Sequence, residues 1–224
     1  MNIVARLLLL ACAAAPVTGV AHAQHVTAIR VIDRTTLIAE EIAGPAAASD
    51  LRLALTLVYF ESGAWSPDAA LDATRGAATL LKQCGVTVTR LELIRVEAPP
   101  KYQFFDTPVS RELARSLGPA KPTVYFVADT RQVPEFDAEA IGRANSHSRP
   151  ELADTVWITR AARNADIALA HELVHVLTDS GAHVEQAGNL MRDETSPANV
   201  RLSHSQCAQL RSVGAKNGLL YGRR

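Results

Sequence analysis

Residues 170–177 read AHELVHVL and contain the pattern HExxH, with histidines at 171 and 175 and a glutamate at 172. Two imidazoles four residues apart on a helix lie about 6 Å apart along its axis and share one face, so both can point at one ion. Glu172 lies beside them on the helix but points away from the ion. Its carboxylate can therefore reach a metal-bound water and act as general base. The pattern predicts a zinc site, Zn²⁺ being the cofactor.

The residues around the motif favour a helix independently. Asn164-Ala165-Asp166 has the composition of a helix start, and the apolar residues that follow recur with helical spacing. HExxH occurs by chance in roughly one comparable sequence in a hundred, so this context matters. A third candidate ligand, His183, follows His175 by eight residues, and we expect Gly181 to turn the chain back toward the helix end.

Two carboxylates compete with His183 for the third ligand position. Asp179 follows the motif closely, and Glu194 lies at a distance that resembles the downstream glutamate of thermolysin-like enzymes. Ser196-Pro197 follows Glu194 too closely for a good helix interior, which disfavours that option. Ligand preference and spacing favour His183, and both carboxylates remain open.

Strands and helices alternate before the motif. Residues 51–60 form an apolar run typical of a buried strand, and Ser66-Pro67-Asp68 is a typical helix start. Further strands are predicted at residues 87–96, 123–127 and 155–159, and a short helix at 109–117. The order predicts an α/β fold with a mixed sheet backed by helices. Residues 26–42 are compatible with an added strand or an ordered arm, and a linker-like stretch follows at 44–48.

The composition is that of one globular domain. The chain has 224 residues, with 48% hydrophobic residues and 23 basic against 23 acidic side chains. A balanced charge gives no electrostatic reason to expect a nucleic acid or an anionic membrane as partner. We expect a monomer.

The N-terminal residues have the features of a secretory signal peptide. Arg6 precedes an apolar run, and small residues end the segment at Ala23. We expect cleavage there, which makes the protein secreted or periplasmic; the alternative is a lipoprotein anchored through Cys12. Pro16 and Gly19 interrupt the apolar run, and no later segment is long and apolar enough to span a bilayer. The domain boundaries are therefore 1–23 for the signal peptide, 24–50 for an N-terminal extension and 51–224 for the folded domain.

Two cysteines remain after signal cleavage, Cys84 and Cys207. An even count in an exported chain favours a disulfide between them over two free thiols.

The zinc segment resembles that of the metzincin metallopeptidases. The likeness rests on the HExxH motif, on Gly181-Ala182-His183 and on Asn189-Leu190-Met191. It covers roughly residues 51–213, of which only the zinc segment is specific. The resemblance implies a metzincin-like domain with a smaller C-terminal subdomain, Met191 in a turn beneath the metal, and a C-terminal helix opening at Ser203-His204-Ser205-Gln206-Cys207. It also implies an endopeptidase, with Glu172 as the base and His171, His175 and His183 on zinc.

The sequence also departs from the metzincin pattern. Thr178 and Gly181 stand where the clan usually has a glycine and the third histidine, so a two-residue insertion is needed to reach His183. Arg192 follows the methionine, and the tyrosine that some members have nearby is missing there.

The resemblance also implies that residues 140–145 form the edge strand that pairs with extended peptide. The rival function is a zinc-containing module that binds peptides or proteins without cleaving them.

Overall fold

The structure, a computed structural model, describes residues 26–38, 42, 51–130, 140–143 and 150–222, with the backbone only for 140–143. The predicted signal peptide at 1–23, the lipoprotein alternative at Cys12 and the linker at 44–48 lie outside the described residues. Among those that are described, no helix is both long and apolar enough to cross a membrane.

The described strands form a large mixed sheet and a small parallel pair. In chain order they are β1 Arg30–Ile38, β2 Leu51–Phe60, β3 Val86–Glu97, β4 Phe104–Phe105, β5 Thr123–Phe126, β6 Asp129–Thr130, β7 Ala140–Arg143, β8 Thr155–Ile158 and β9 Leu220–Tyr221. The large sheet has the order β1-β3-β2-β5-β8-β7, and β9 pairs with β2. Strands β3, β2, β5 and β8 are parallel, whereas β1 and β7 run antiparallel at the two edges.

Within the described ranges, four α-helices pack on this sheet: α1 Pro67–Leu81, α2 Thr107–Leu117, α3 Ala165–Thr178 and α4 His204–Lys216. Short 3₁₀ turns occupy Lys82–Cys84, Pro100–Gln103 and Pro150–Leu152. Helix α1 begins as predicted, since the Ser66 hydroxyl accepts a hydrogen bond from the Ala69 N–H at 3.1 Å. The predicted α/β class, a mixed sheet backed by helices, is confirmed.

The core has two layers because the central strands are buried on both faces. Side chains of α1, α3 and α4 pack against one face of the sheet, and those of α2 pack against the other. Successive residues of β5 alternate between them: Val124 and Phe126 face α3, while Tyr125 joins the α2 side. Burial on both faces explains why these strands have continuous apolar runs.

Residues of the N-terminal extension form an added edge strand. β1 pairs with β3 from Arg30 opposite Glu97 to Ile38 opposite Arg90. An ion pair of 2.8 Å between Arg34 and Glu92 crosses the two strands. Of the two alternatives that the sequence left open, the structure shows the strand.

A disulfide joins Cys84 to Cys207, with a Cα–Cα distance of 4.8 Å. Cys84 ends the 3₁₀ turn after α1, and Cys207 lies in the first turn of α4. The bond therefore ties the C-terminal helix to the end of the first one.

Candidate metal centre

Three imidazoles meet at one point beside the C-terminal half of α3. The Nε2 atoms of His171 and His175 are 2.9 Å apart, and those of His175 and His183 are 3.1 Å apart. The third side of the triangle, from His171 to His183, is 3.2 Å. His171 and His175 are buried, whereas His183 lies on the exposed rim.

The other nitrogen of each ring faces an acceptor. Nδ1 of His171 is 2.7 Å from the carbonyl oxygen of Leu190, and Nδ1 of His175 is 2.6 Å from that of Ser180. The Nδ1 of His183 lies 3.3 Å from a carboxylate oxygen of Asp193. Because a carbonyl oxygen only accepts, Nδ1 of His171 and of His175 carries the proton and donates. The neutral rings therefore direct their Nε2 lone pairs at each other across 2.9 Å.

Burial keeps these rings from holding an extra proton. Burial first, and then the neighbouring His171, lower the pKa of His175 to about 4, against a raising effect of the Ser180 carbonyl. Burial likewise lowers the pKa of His171, against a raising effect of the Leu190 carbonyl. At neutral pH both rings are therefore uncharged, and a proton does not bridge the facing lone pairs.

A metal ion fits this donor set. Tetrahedral Zn–N bonds of about 2.0–2.1 Å place two nitrogens about 3.3–3.4 Å apart, within a few tenths of an ångström of the distances in the triangle. His171 and His175 also have the outer hydrogen-bond partner that fixes the tautomer of metal-binding histidines, and a carboxylate oxygen of Asp193 lies near Nδ1 of His183.

Glu172 follows His171 on α3 and is half-buried. Its neighbours on the helix, His171 and Leu173, are buried, so the carboxylate lies at the boundary between the core and solvent.

The turn after the helix differs from the one that we expected. Asp179, not Gly181, adopts the left-handed conformation that ends α3, with φ of 48°. Its N–H donates to the helical carbonyls of His175 and Val176. Gly181 lies outside the left-handed region, and nothing lies within 4 Å of a Cβ added to it. The expectation for Gly181 is wrong because the chain already reverses at the helix cap, two residues earlier.

The rival ligands stand apart from the triangle. Within the described ranges, the group of side chains able to hold one metal consists of the three histidines and includes neither Asp179 nor Glu194. Asp179 serves as the helix cap, and Glu194 is exposed.

The segment 189–191 contacts the site through the Leu190 carbonyl, which lies 2.7 Å from Nδ1 of His171. Met191 is 3% exposed and belongs to the same core cluster as the buried face of α3. Its carbonyl accepts a hydrogen bond from the Val184 N–H at 2.9 Å, which joins the turn to the segment carrying His183.

Sequence reasoning missed the groups that orient the rings. Two of these are the backbone carbonyls of Leu190 and Ser180. Every residue has such a carbonyl, so the residue types do not reveal which ones accept from the histidines. Asn189 and Gln206, which pair beneath the site, were visible only as part of the 189–191 likeness and as a capping box.

No protein-family model and no curated protein matches the sequence. The fold resembles the crystal structure of metalloproteinase-II from Bacteroides fragilis, with a TM-score of 0.53 and 16% sequence identity. The likeness covers 75% of this chain and 54% of that chain, so the protein spans about half the length of the matched structure. At this identity the likeness shows a metalloproteinase-like fold.

Proposed function

We propose that the protein is an exported zinc-dependent endopeptidase of metzincin type, with zinc held by His171, His175 and His183. The observation that carries the proposal is the convergence of three ring nitrogens within 3.2 Å, two of them neutral acceptors facing each other. A bound zinc ion would supply Lewis acidity, which polarises a peptide carbonyl and lowers the pKa of water toward about 7.

The remaining chemistry belongs to the protein. Glu172 takes the proton from the attacking water and passes it to the leaving amine as the peptide bond breaks. The carbonyls of Leu190 and Ser180 hold His171 and His175 in the tautomer whose Nε2 is free to bind metal. The rings therefore need no rearrangement before they bind.

Strand β7 offers a surface for the substrate. It pairs antiparallel with β8 on one side and lies at the edge of the described sheet on the other. An extended peptide added along that edge would receive backbone hydrogen bonds, with specificity set by pockets for its side chains.

Export is supported by the disulfide and by the signal-like residues 1–23. A Cys84–Cys207 bond forms and persists in an oxidising compartment. We propose cleavage near Ala23, with lipid attachment at Cys12 as the alternative. The mass of the N-terminal peptide of the exported protein distinguishes the two.

The test uses purified, zinc-loaded protein and a quenched peptide library, with and without a chelator. We expect hydrolysis that the chelator stops and that added zinc restores. Glu172→Gln should keep stoichiometric zinc and lose activity by about 10²–10⁴-fold, the usual contribution of a general base. Glu185→Gln, at an exposed glutamate in the loop two residues after His183, is the control and should stay active.

Each failure has its own meaning. Stoichiometric zinc in a parent that cleaves no peptide would favour the non-catalytic binding module. Full activity in metal-replete Glu172→Gln would refute the assigned base. A parent without stoichiometric metal would refute the zinc site itself.

A further inference from the structure

Two amide side chains, distant in sequence, pair with each other beneath the metal centre. Asn189 Nδ2 donates to Gln206 Oε1 at 2.9 Å, and Gln206 Nε2 donates back to Asn189 Oδ1 at 3.2 Å. Asn189 is 3% exposed and Gln206 is half-buried, so this two-way pairing is partly shielded from water. Shielded hydrogen bonds hold their geometry more firmly than exposed ones do.

The pairing leads directly to a candidate zinc ligand. Asn189 Oδ1 also accepts from the Met191 N–H at 2.8 Å, which closes a turn around Leu190. The N–H of Leu190 donates to the Arg201 carbonyl at 2.7 Å. The carbonyl of Leu190 is the acceptor for His171 Nδ1. The group that orients His171 is therefore held in place from both sides.

Gln206 is in turn fixed to the body of the domain. Its Oε1 accepts from the Ser203 N–H at 2.7 Å, and its own N–H donates to the Ser203 hydroxyl at 3.2 Å, which completes a capping box. The next residue, Cys207, is bonded to Cys84. The Gln83 side chain accepts from the Leu202 N–H at 2.7 Å. These bonds hold the first turn of α4, and with it the Gln206 amide, in a fixed position.

We propose that Gln206 and Asn189 are positioning residues for the metal centre: their amide pair holds the Leu190 carbonyl against His171 and so sets the affinity for zinc. This inference rests on the proposed function, because it assumes that His171 is a ligand. It assigns Gln206 a second role beyond capping α4.

The two roles of Gln206 can be separated by substitution. In Gln206→Glu the carboxylate still accepts from Ser203 N–H and from Asn189 Nδ2, so the helix cap survives. The donor to Asn189 Oδ1 is lost, and an anionic oxygen faces that acceptor in its place. In Ser203→Ala the hydroxyl half of the capping box is lost, while the Gln206–Asn189 pair remains.

The experiment measures zinc affinity by competition with a chromophoric chelator, and the melting temperature of each protein freed of metal. We expect Gln206→Glu to bind zinc about tenfold more weakly, the lower end of the effect seen when groups that orient metal ligands are removed. Its metal-free melting temperature should fall by no more than that of Ser203→Ala. Ser203→Ala should melt at a lower temperature yet keep its zinc affinity within about twofold.

Asn189→Ala provides a further check. Because it removes the same pair from the other side, adding Gln206→Glu to it should weaken zinc binding little more. Unchanged zinc affinity in Gln206→Glu, or an equal loss of affinity in Ser203→Ala, would overturn the inference while leaving the zinc site intact. A parent that binds no zinc would overturn the proposed function and this inference with it.

Discussion

The imidazole of His175 donates from Nδ1 to the carbonyl oxygen of Ser180 at 2.6 Å, and the Ser180 N–H donates back to the His175 carbonyl at 3.2 Å. These two bonds enclose Asp179, which holds the left-handed conformation at the helix end. The orientation of a candidate zinc ligand therefore depends on a backbone turn.

Substitution at Asp179 tests this dependence and the rival ligand together. Asp179→Gly keeps the left-handed conformation without strain, so zinc should remain bound with near-parental affinity. Asp179→Val places a β-branched side chain at positive φ, which should cost about 1–2 kcal/mol of stability and weaken zinc binding. Urea denaturation and chelator competition measure the two effects. Loss of zinc in Asp179→Gly would instead identify the carboxylate as a ligand.

Removal of the third imidazole should affect the metal more than removal of any nearby carboxylate. We expect His183→Ala to bind zinc more than about 100-fold more weakly, since losing a ligand exceeds the effect of losing an outer partner. Glu194→Gln should bind as the parent does. Metal analysis after gel filtration gives the stoichiometry, and the reverse ranking would reassign the ligand.

Substitution by alanine should change the free energy of unfolding differently at Gly181 and at Gly188. Gly188 has φ of 78°, whereas Gly181 lies outside the left-handed region with open space around it. Gly188→Ala should lose about 1–2 kcal/mol of unfolding free energy. Gly181→Ala should be neutral or gain up to about 1 kcal/mol, because alanine reduces the entropy of the unfolded chain. Denaturant midpoints that ranked the pair the other way would refute the turn geometry.

Helices α1 and α3 approach closely at Gly76. A Cβ there would lie 2.5 Å from the Cβ of Asp166, in the first turn of α3. Overpacking costs about 1–3 kcal/mol and the gain in helix propensity is about 1 kcal/mol, so Gly76→Ala should destabilise the fold by up to about 2 kcal/mol. Thermal unfolding should show a smaller loss when the substitution is made in an Asp166→Gly background. An equal loss in both backgrounds would exclude this contact as the cause.

Glu151 should contribute stability that depends on pH. Hydrogen bonds from Arg111 and then Arg115 lower the pKa of its carboxyl to about 2, against an ordinary value of 4.5. The unfolded chain therefore binds more protons between these values, so the contribution is complete above about pH 4.5 and is lost as the pH falls toward 2. Glu151→Gln should melt below the parent at pH 7, and the difference should shrink through this window. Asp72→Asn, in an exposed pair with Arg75, is the control; a difference for Glu151→Gln that is constant with pH would contradict the assignment.

Much of the fold was predictable because its signals are local. Ser66-Pro67 and Ser203 with Gln206 mark helix starts by capping chemistry that acts over three or four residues. The apolar run of β2 and the β-branched run of β3 predict strands, although β3 extends one residue further at each end than the predicted 87–96. The two-residue strands β4, β6 and β9 are too short to show any periodicity, so they could not be predicted.

The candidate metal ligands could be predicted from the sequence, but the turn and the hydrogen bonds that position them could not. The spacing of His171 and His175 follows from helix geometry, and the structure brings His183 to the same point. The turn at Asp179 was missed because a left-handed aspartate is selected by the hydrogen bonds around it rather than by its own preference. The Asn189–Gln206 pair joins residues 17 apart through tertiary packing, and no local rule predicts such a contact.

The disulfide between Cys84 and Cys207 joins residues 123 positions apart. The loop that it closes contains the HExxH helix and every candidate ligand. A backbone cut anywhere inside that loop leaves two fragments still covalently connected. A single proteolytic cut there would therefore escape notice by non-reducing electrophoresis or by gel filtration of the native protein, and would become visible only after a thiol reagent and denaturation separate the pieces.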